Sequence, residues 1–354
     1  MKKWLSICLI VILMTAAIPS AFAEESAEGS TIDQYFPVDV EGHWASDVLN
    51  DFVQAGVLKG YDVYGEVYLK PNDAVTRGEF VTILLRAVDP AAPETTKDNS
   101  FTDVKKSDWY YSAVTQANSL GIVNGVDAAH FAPNGKITRA EISAILSRFF
   151  DATVQFNGSA AAFNDISGYW AQGDIEKLSK AGIASGYKDG GFHPKATATR
   201  AEAATFLNRS LHLESMNTPE DSVLIDLVKQ YTQEQYDTFK NGSFDQMQSS
   251  IERNEVGFAK DLELLSVEQL RGYKDMGLTM EVTMNGEMNG QVIFKSDRYA
   301  VVKMTGGTIE VKLSQGSTSY TTSTAGDDTY YLRKTQDGWK IYSTAGEYSE
   351  AAQY

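Results

Sequence analysis

The strongest constraint in this sequence is a register that recurs three times. Trp44, Trp109 and Trp170 are each followed twelve residues on by a glycine, Gly56, Gly121 and Gly182. Four residues later comes a second glycine, Gly60, Gly125 and Gly186, and then a proline, Pro71, Pro133 and Pro194. Five residues beyond each proline, a threonine opens TRGE (Thr76–Glu79) or TRAE (Thr138–Glu141, Thr199–Glu202). Asp39, Asp103 and Asp165 precede the tryptophans, and Arg86, Arg148 and Arg209 lie nine residues after the motif arginines. The tryptophans are 65 and 61 residues apart, with three extra residues between Gly60 and Pro71 in the first unit. Such a chain builds its first two-thirds from one supersecondary unit used three times.

Each unit reads as helix–loop–helix. The first helix carries Leu49/Val114/Ile175 and Phe52/Ala117/Leu178 on one face and ends at the first glycine. The second begins at the threonine motif and carries a stripe of Phe80/Ile142/Ala203, Ile83/Ile145/Phe206 and Leu84/Leu146/Leu207. One pair cannot bury such faces alone. Three units, 35–90, 99–152 and 161–214, are therefore expected to pack around a shared centre as an all-α, pseudo-threefold trimer.

Composition narrows the function. Acids outnumber bases 47 to 31, a net charge of −16, so the surface repels nucleic-acid phosphates and no nucleic-acid partner is expected. The one cysteine, Cys8, lies in a leader, and there are four histidines, so neither a thiolate nor a multi-histidine metal centre is expected, and no cofactor. Residues 1–23 read as a secretory signal peptide: Met1-Lys2-Lys3, an apolar run from Trp4 to Ile18, and Ala21-Phe22-Ala23 at the cleavage site. That run is too short to span a bilayer, so no membrane partner is expected after cleavage. Residues 24–34 form an acidic linker, and a mature chain without cysteine suits the surface of a Gram-positive bacterium.

The motif residues have definite chemistry. Thr-x-x-Glu is a capping box. Arg77, Arg139 and Arg200 stand at the positive end of a helix dipole, where a cation is unfavourable. They suit either an anion held between guanidinium and helix N–H groups, or a salt bridge to an acid of the next unit. Glu141 and Glu202, like Glu79, either only close the box or also join a site. The tryptophans either pack between units or offer a platform to a sugar ring. Asp39, Asp103 and Asp165 either cap the first helix or accept bonds from sugar hydroxyls. Gly125 and Gly186 either permit a tight turn or let a ligand approach the backbone.

FTDV (Phe101–Val104) or FNDI (Phe163–Ile166), then tryptophan, G-[IV]-x-x-G and TRAE, in three copies after a leader, resembles the S-layer homology domain over Tyr35 to Leu213. The first unit departs from it with FPVDV (Phe36–Val40) and TRGE. The resemblance implies non-covalent anchoring to a secondary cell-wall polymer attached to peptidoglycan, commonly bearing pyruvylated amino sugars. It assigns carbohydrate binding to Asp39, Trp44, Arg77, Asp103, Trp109, Gly125, Arg139, Glu141, Asp165, Trp170, Gly186, Arg200 and Glu202.

From residue 218 to 354 the repeat is gone. Helical patterns over Glu220–Lys240, Phe244–Arg253 and Phe258–Asp275 precede alternating segments at 278–284, 292–294, 309–313, 330–332 and 339–341. They predict an α+β domain with an antiparallel meander. FKNGSFDQM (Phe239–Met247) and YYLRKTQDGWKI (Tyr330–Ile341) are similar to the cone-shaped nuclear-transport-factor-like (SnoaL-like) family. This segment has neither histidine nor cysteine, and Glu281 and Glu287 sit at solvated strand or turn positions. No catalytic residue and no enzyme activity are expected; a wall-anchored enzyme and a surface-layer subunit are the competing readings. No partner for this domain follows from its residues.

Overall fold

The computed structural model describes residues 32–90 and 101–345. The leader, most of the acidic linker, residues 99–100 and residues 346–354 lie outside the described residues.

The first helices are α1 (Ser46–Gln54), α3 (Tyr111–Ser119) and α5 (Gln172–Lys180). Each is stopped by its glycine, which takes the left-handed backbone at φ +69°, +69° and +72°. The second helices are α2 (Arg77–Val88), α4 (Arg139–Phe149) and α6 (Arg200–His212). They are buried on nearly every side, and each starts with a complete capping box. Every first helix packs against the second helix of another unit: α1 on α6, α3 on α2, α5 on α4.

The units also meet through backbone. Val75 donates its N–H to Ala198 O, Ala198 to Ile137 O, and Ile137 to Val75 O, at 3.0, 2.9 and 3.1 Å. Three chain segments thus close a ring in which each unit bonds the next. The expectation of helices alone needs one correction. The extra residues of the first unit form a hairpin, β1 (Tyr61–Val63) and β2 (Glu66–Tyr68), turning at Tyr64-Gly65.

Beyond the repeats come α7 (Asp221–Lys240), α8 (Phe244–Asn254) and α9 (Gly257–Asp275). Seven strands follow: β3 (Thr279–Asn285), β4 (Asn289–Lys295), β5 (Tyr299–Thr305), β6 (Thr308–Gln315), β7 (Thr318–Ala325), β8 (Asp328–Thr335) and β9 (Gly338–Ala345). All pairings are antiparallel, but the strands form two sheets, β3-β6-β7 and β4-β5-β8-β9, rather than one meander. Strand β5 has no alternation to read because it is buried almost throughout, and β7 is polar on both faces.

The α+β part does not hang from a tether. Phe258, Tyr299 and Tyr342 belong to the same apolar cluster as the cores of the repeats. Arg333 donates to the carbonyls of Ala55 and Arg86, at 2.6 and 3.0 Å, and so satisfies the ends of α1 and α2. Tyr342 donates to Asp51 at 2.6 Å, Tyr35 to Asp261 at 2.8 Å, and Arg298 pairs with the buried Glu214.

Candidate carbohydrate-binding grooves

The motif arginines are buried, at 7%, 4% and 4% exposure, and each crosses to another unit. Arg77 pairs with Glu141 at 2.7 Å, Arg139 with Glu202 at 2.9 Å, and Arg200 with Glu79 at 3.5 Å. Their Nε atoms donate to the carbonyls of Phe131, Phe192 and Leu69, and their Nη2 atoms to those of Asn124, Ser185 and Lys59. Of the two alternatives, the arginines form the salt bridge to an acid of another unit.

An anion held on free helix N–H groups is not available. Arg139 N–H donates to Ala196 O, Ala140 N–H to Pro194 O, and Glu141 N–H to the Thr138 hydroxyl. The other two helix starts are filled in the same way, by Gly135 and Pro133 for α2 and by Asp73 and Pro71 for α6. Glu141 and Glu202 have two duties: one oxygen closes the capping box and the other takes the neighbouring arginine.

The aspartates neither cap the first helix nor face solvent unpaired. Each carboxylate accepts two successive backbone N–H groups just before the proline: Leu69 and Lys70 for Asp39, Phe131 and Ala132 for Asp103, Phe192 and His193 for Asp165. Lys70, Ala132 and His193 all have positive φ, at 51°, 57° and 57°. The carboxylate holds this unfavourable turn in place.

Gly125 and Gly186 are glycine for space rather than for φ. A Cβ on Gly125 would lie 2.4 Å from the carbonyls of Asp127 and His130; one on Gly186 would lie 2.6 Å from the Phe163 ring. Each therefore lets the loop lie on a core aromatic.

The tryptophans remain uncommitted. Trp44, Trp109 and Trp170 are 64%, 63% and 63% exposed, so they do not pack between units. Trp44 lines a cavity of about 170 Å³ together with Arg139, Glu202, Tyr187, Thr205 and Phe206, and Gly186 and Arg209 complete its wall. The groove thus combines an aromatic face, a cation and several acceptors, the chemistry that binds a hydroxylated, anionic ring.

Sequence reasoning passed over Tyr61 and Tyr187, which stand one residue after the second glycine. Tyr187 donates to Glu202 at 2.5 Å and lies 4.8 Å from the Arg139 guanidinium; Tyr61 donates to Glu79 at 2.5 Å and lies 5.0 Å from Arg200. Burial pushes the Glu79 pKa upward, but hydrogen bonds from Tyr61 and Thr76 and the charge of Arg200 outweigh it, and the net shift is downward. At the same place the second unit has Val126, so its groove lacks the phenol. The signal was the shared offset of two tyrosines.

A second group of acids also escaped notice. Glu255 and Glu263 are 2% and 6% exposed, and Asp328 has a buried, unpartnered Oδ1. Burial raises Glu255 and Asp328 well above the usual carboxylate range, and the charge of Glu263 adds to both. Tyr231 donates to Glu255 at 2.5 Å. Glu281, by contrast, pairs with Lys312 at the surface.

Residues 38–81, 100–142 and 162–204 each match the S-layer homology domain. An amylopullulanase of Thermoanaerobacterium thermosulfurigenes is 34% identical over 174 residues, covering 48% of this chain and 9% of its own. The cellulosome-anchoring protein of Acetivibrio thermocellus is 32% identical over 168 residues, 46% of this chain and 37% of its own. S-layer protein sap of Bacillus anthracis is 30% identical over 200 residues, 56% of this chain and 23% of its own. The chain therefore spans well under half the length of each of these relatives. Among solved structures, the intermembrane space region of chloroplast protein ARC6 aligns with 37% of this chain and 98% of its own, at TM-score 0.30 and 15% identity, too distant to carry an argument. This chain carries three S-layer homology domains and is a cell-wall protein of the cell surface.

Proposed function

We propose that the three repeats anchor the chain non-covalently to a secondary cell-wall polymer attached to peptidoglycan, and that the α+β part is a display module without catalysis. The observation that supports it most is the groove that exposed Trp44 lines together with buried Arg139, half-buried Glu202 and exposed Tyr187. A pyruvylated amino sugar fits that chemistry: its apolar face lies on the indole, and its carboxylate meets the guanidinium edge left beside the glutamate. Asp39, Asp103, Asp165, Gly125 and Gly186 then shape the groove rather than touch the sugar. Arg77, Arg139 and Arg200 both shape it and present charge.

The test is co-sedimentation of the chain from Glu24 onward with walls before and after chemical removal of their secondary polymers. The protein pellets with the first and stays in solution with the second. Trp44→Ala, Trp109→Ala and Trp170→Ala together abolish pelleting while the melting temperature holds, because the rings are exposed. Equal pelleting with stripped walls moves the target to peptidoglycan and ends the polymer reading.

The enzymatic alternative draws on the buried Glu255, Glu263 and Asp328, and on glycosidases among the relatives. Those acids lie between helices and sheet: α7 supplies Tyr231, which holds Glu255. We read them as a buried structural layer, in which burial pushes Glu255 and Asp328 upward in pKa. Hydrolysis of wall glycans that disappears with Glu255→Gln would reverse this.

A further inference from the structure

Four strands of the α+β part have an unpaired edge among the described residues: β3 and β7 in one sheet, β4 and β9 in the other. Free edges invite pairing with other chains, and proteins blunt them with charge, bulges or cover. Three of the four are blunted here. Strand β3 packs against α7 and carries Glu281, β4 has a bulge between Val292 and Phe294 and also packs against α7, and β9 is covered by α8 and α9.

Strand β7 has none of these. It reads TSYTTSTA from Thr318 to Ala325, with no charge, proline or glycine, and its register with β6 is unbroken. All its residues are exposed or half-buried, and Tyr320 is 56% exposed. Threonine and tyrosine favour extended backbone, so the edge is well formed rather than frayed. The flanking residues extend the uncharged strip from Gln315 to Gly326, on a chain of net charge −16.

The register also fixes which groups face outward. Gly316-Ser317 is a two-residue turn with Gly316 at φ +58°, which makes Gln315 and Thr318 a hydrogen-bonded pair. Alternation then turns Thr318, Tyr320, Thr322 and Thr324 toward β6. The N–H and C=O groups of Ser319, Thr321 and Ser323 point away from the sheet.

We propose that β7 is a self-association edge, on which β7 of a second copy pairs antiparallel to give one six-stranded sheet. A second copy is the occupant that fits the charge. Two chains of net −16 repel wherever acids meet, and this strip approaches its own copy without placing like charges opposite. The two-fold pairing sets hydroxyl side chains against hydroxyl side chains, a favourable cross-strand combination.

Sedimentation equilibrium of the chain from Glu24 onward, between about 1 and 100 µM, tests this. A concentration-dependent dimer is expected, tighter at high salt because screening weakens the repulsion between the two acidic bodies. Thr321→Pro removes an outward N–H while sparing every bond to β6. It raises the dimer dissociation constant about ten- to hundredfold, since two symmetric bonds are lost. Thr321→Glu leaves the backbone unchanged, places like charges at the edge and acts in the same direction. A chain that stays monomeric to about 100 µM at high salt overturns the proposal, as does a dimer that both variants leave intact.

Discussion

Replacing Arg139 by alanine should unfasten the seam between the second and third units. The change removes three donors at once: Nε to Phe192 O at 2.9 Å, Nη2 to Ser185 O at 2.8 Å, and Nη1 to Glu202 at 2.9 Å. Breaking a buried ion pair costs about 3–5 kcal/mol, and each stranded buried carbonyl about 1–3 kcal/mol. Glu202 keeps Tyr187 and its capping box, and its side chain is 17% exposed, so the lower ends of these ranges apply, about 5 kcal/mol before the helix dipole is counted. Relief of the helix-dipole conflict returns at most about 1 kcal/mol, so folding does not survive the change unharmed as a helix-start argument alone would have it. For a body of this size about 4 kcal/mol lowers the melting temperature by roughly 8–16 °C. Differential scanning calorimetry of the wild type, Arg139→Ala and Arg139→Lys measures it. Lysine keeps the charge but loses the fork, and should fall between the two. A fall below about 2 °C for the alanine variant would refute the seam.

Gly125→Ala should cost about 3 kcal/mol, since its Cβ meets two backbone carbonyls at 2.4 Å that cannot both retreat. A denaturant midpoint equal to the wild type's would contradict this. Asp51, enclosed where the α+β part meets α1, has its pKa pushed up from 3.8 to about 6 by burial, against the hydrogen bond from Tyr342. The folded state therefore holds the proton more tightly, and Asp51 adds stability as pH falls from about 6 toward 3.8, worth about 3 kcal/mol in full. Above pH 6 that contribution is lost. Urea titrations from pH 7 to 4 should show the wild type gaining on Asp51→Asn over this window; parallel profiles would remove Asp51 from the account.

What could be read from the sequence was what is local. The capping boxes span four residues, and the glycine stops follow from a single φ. The three helices of the α+β part begin and end within a residue or so of their apolar patterns. The partner of each arginine was not legible, because Arg139 and Glu202 are 63 residues apart and only the meeting of units brings them together. The positive end of a lone helix favours an anion, and the carbonyls that fill these helix starts instead come from other units, far away in sequence. The aspartates failed for the same reason: their amide partners lie 27 to 31 residues away. Strands β5 and β7 were invisible to a search for alternation, one being buried on both faces and the other exposed on both.

The ring closed by Val75, Ile137 and Ala198 has no terminal unit. In an open array of three repeats there are two junctions, and removing an end member destroys only one of them. Here three units share three seams, so deleting any one unit destroys two seams and leaves one. A third of the repeats carries two-thirds of the junctions. Truncation is therefore catastrophic rather than graded, and the closing pair, Arg200 with Glu79, joins positions 121 residues apart. Its loop must be closed before the last seam contributes, so the first two units wait for the third and the ring folds as one cooperative body.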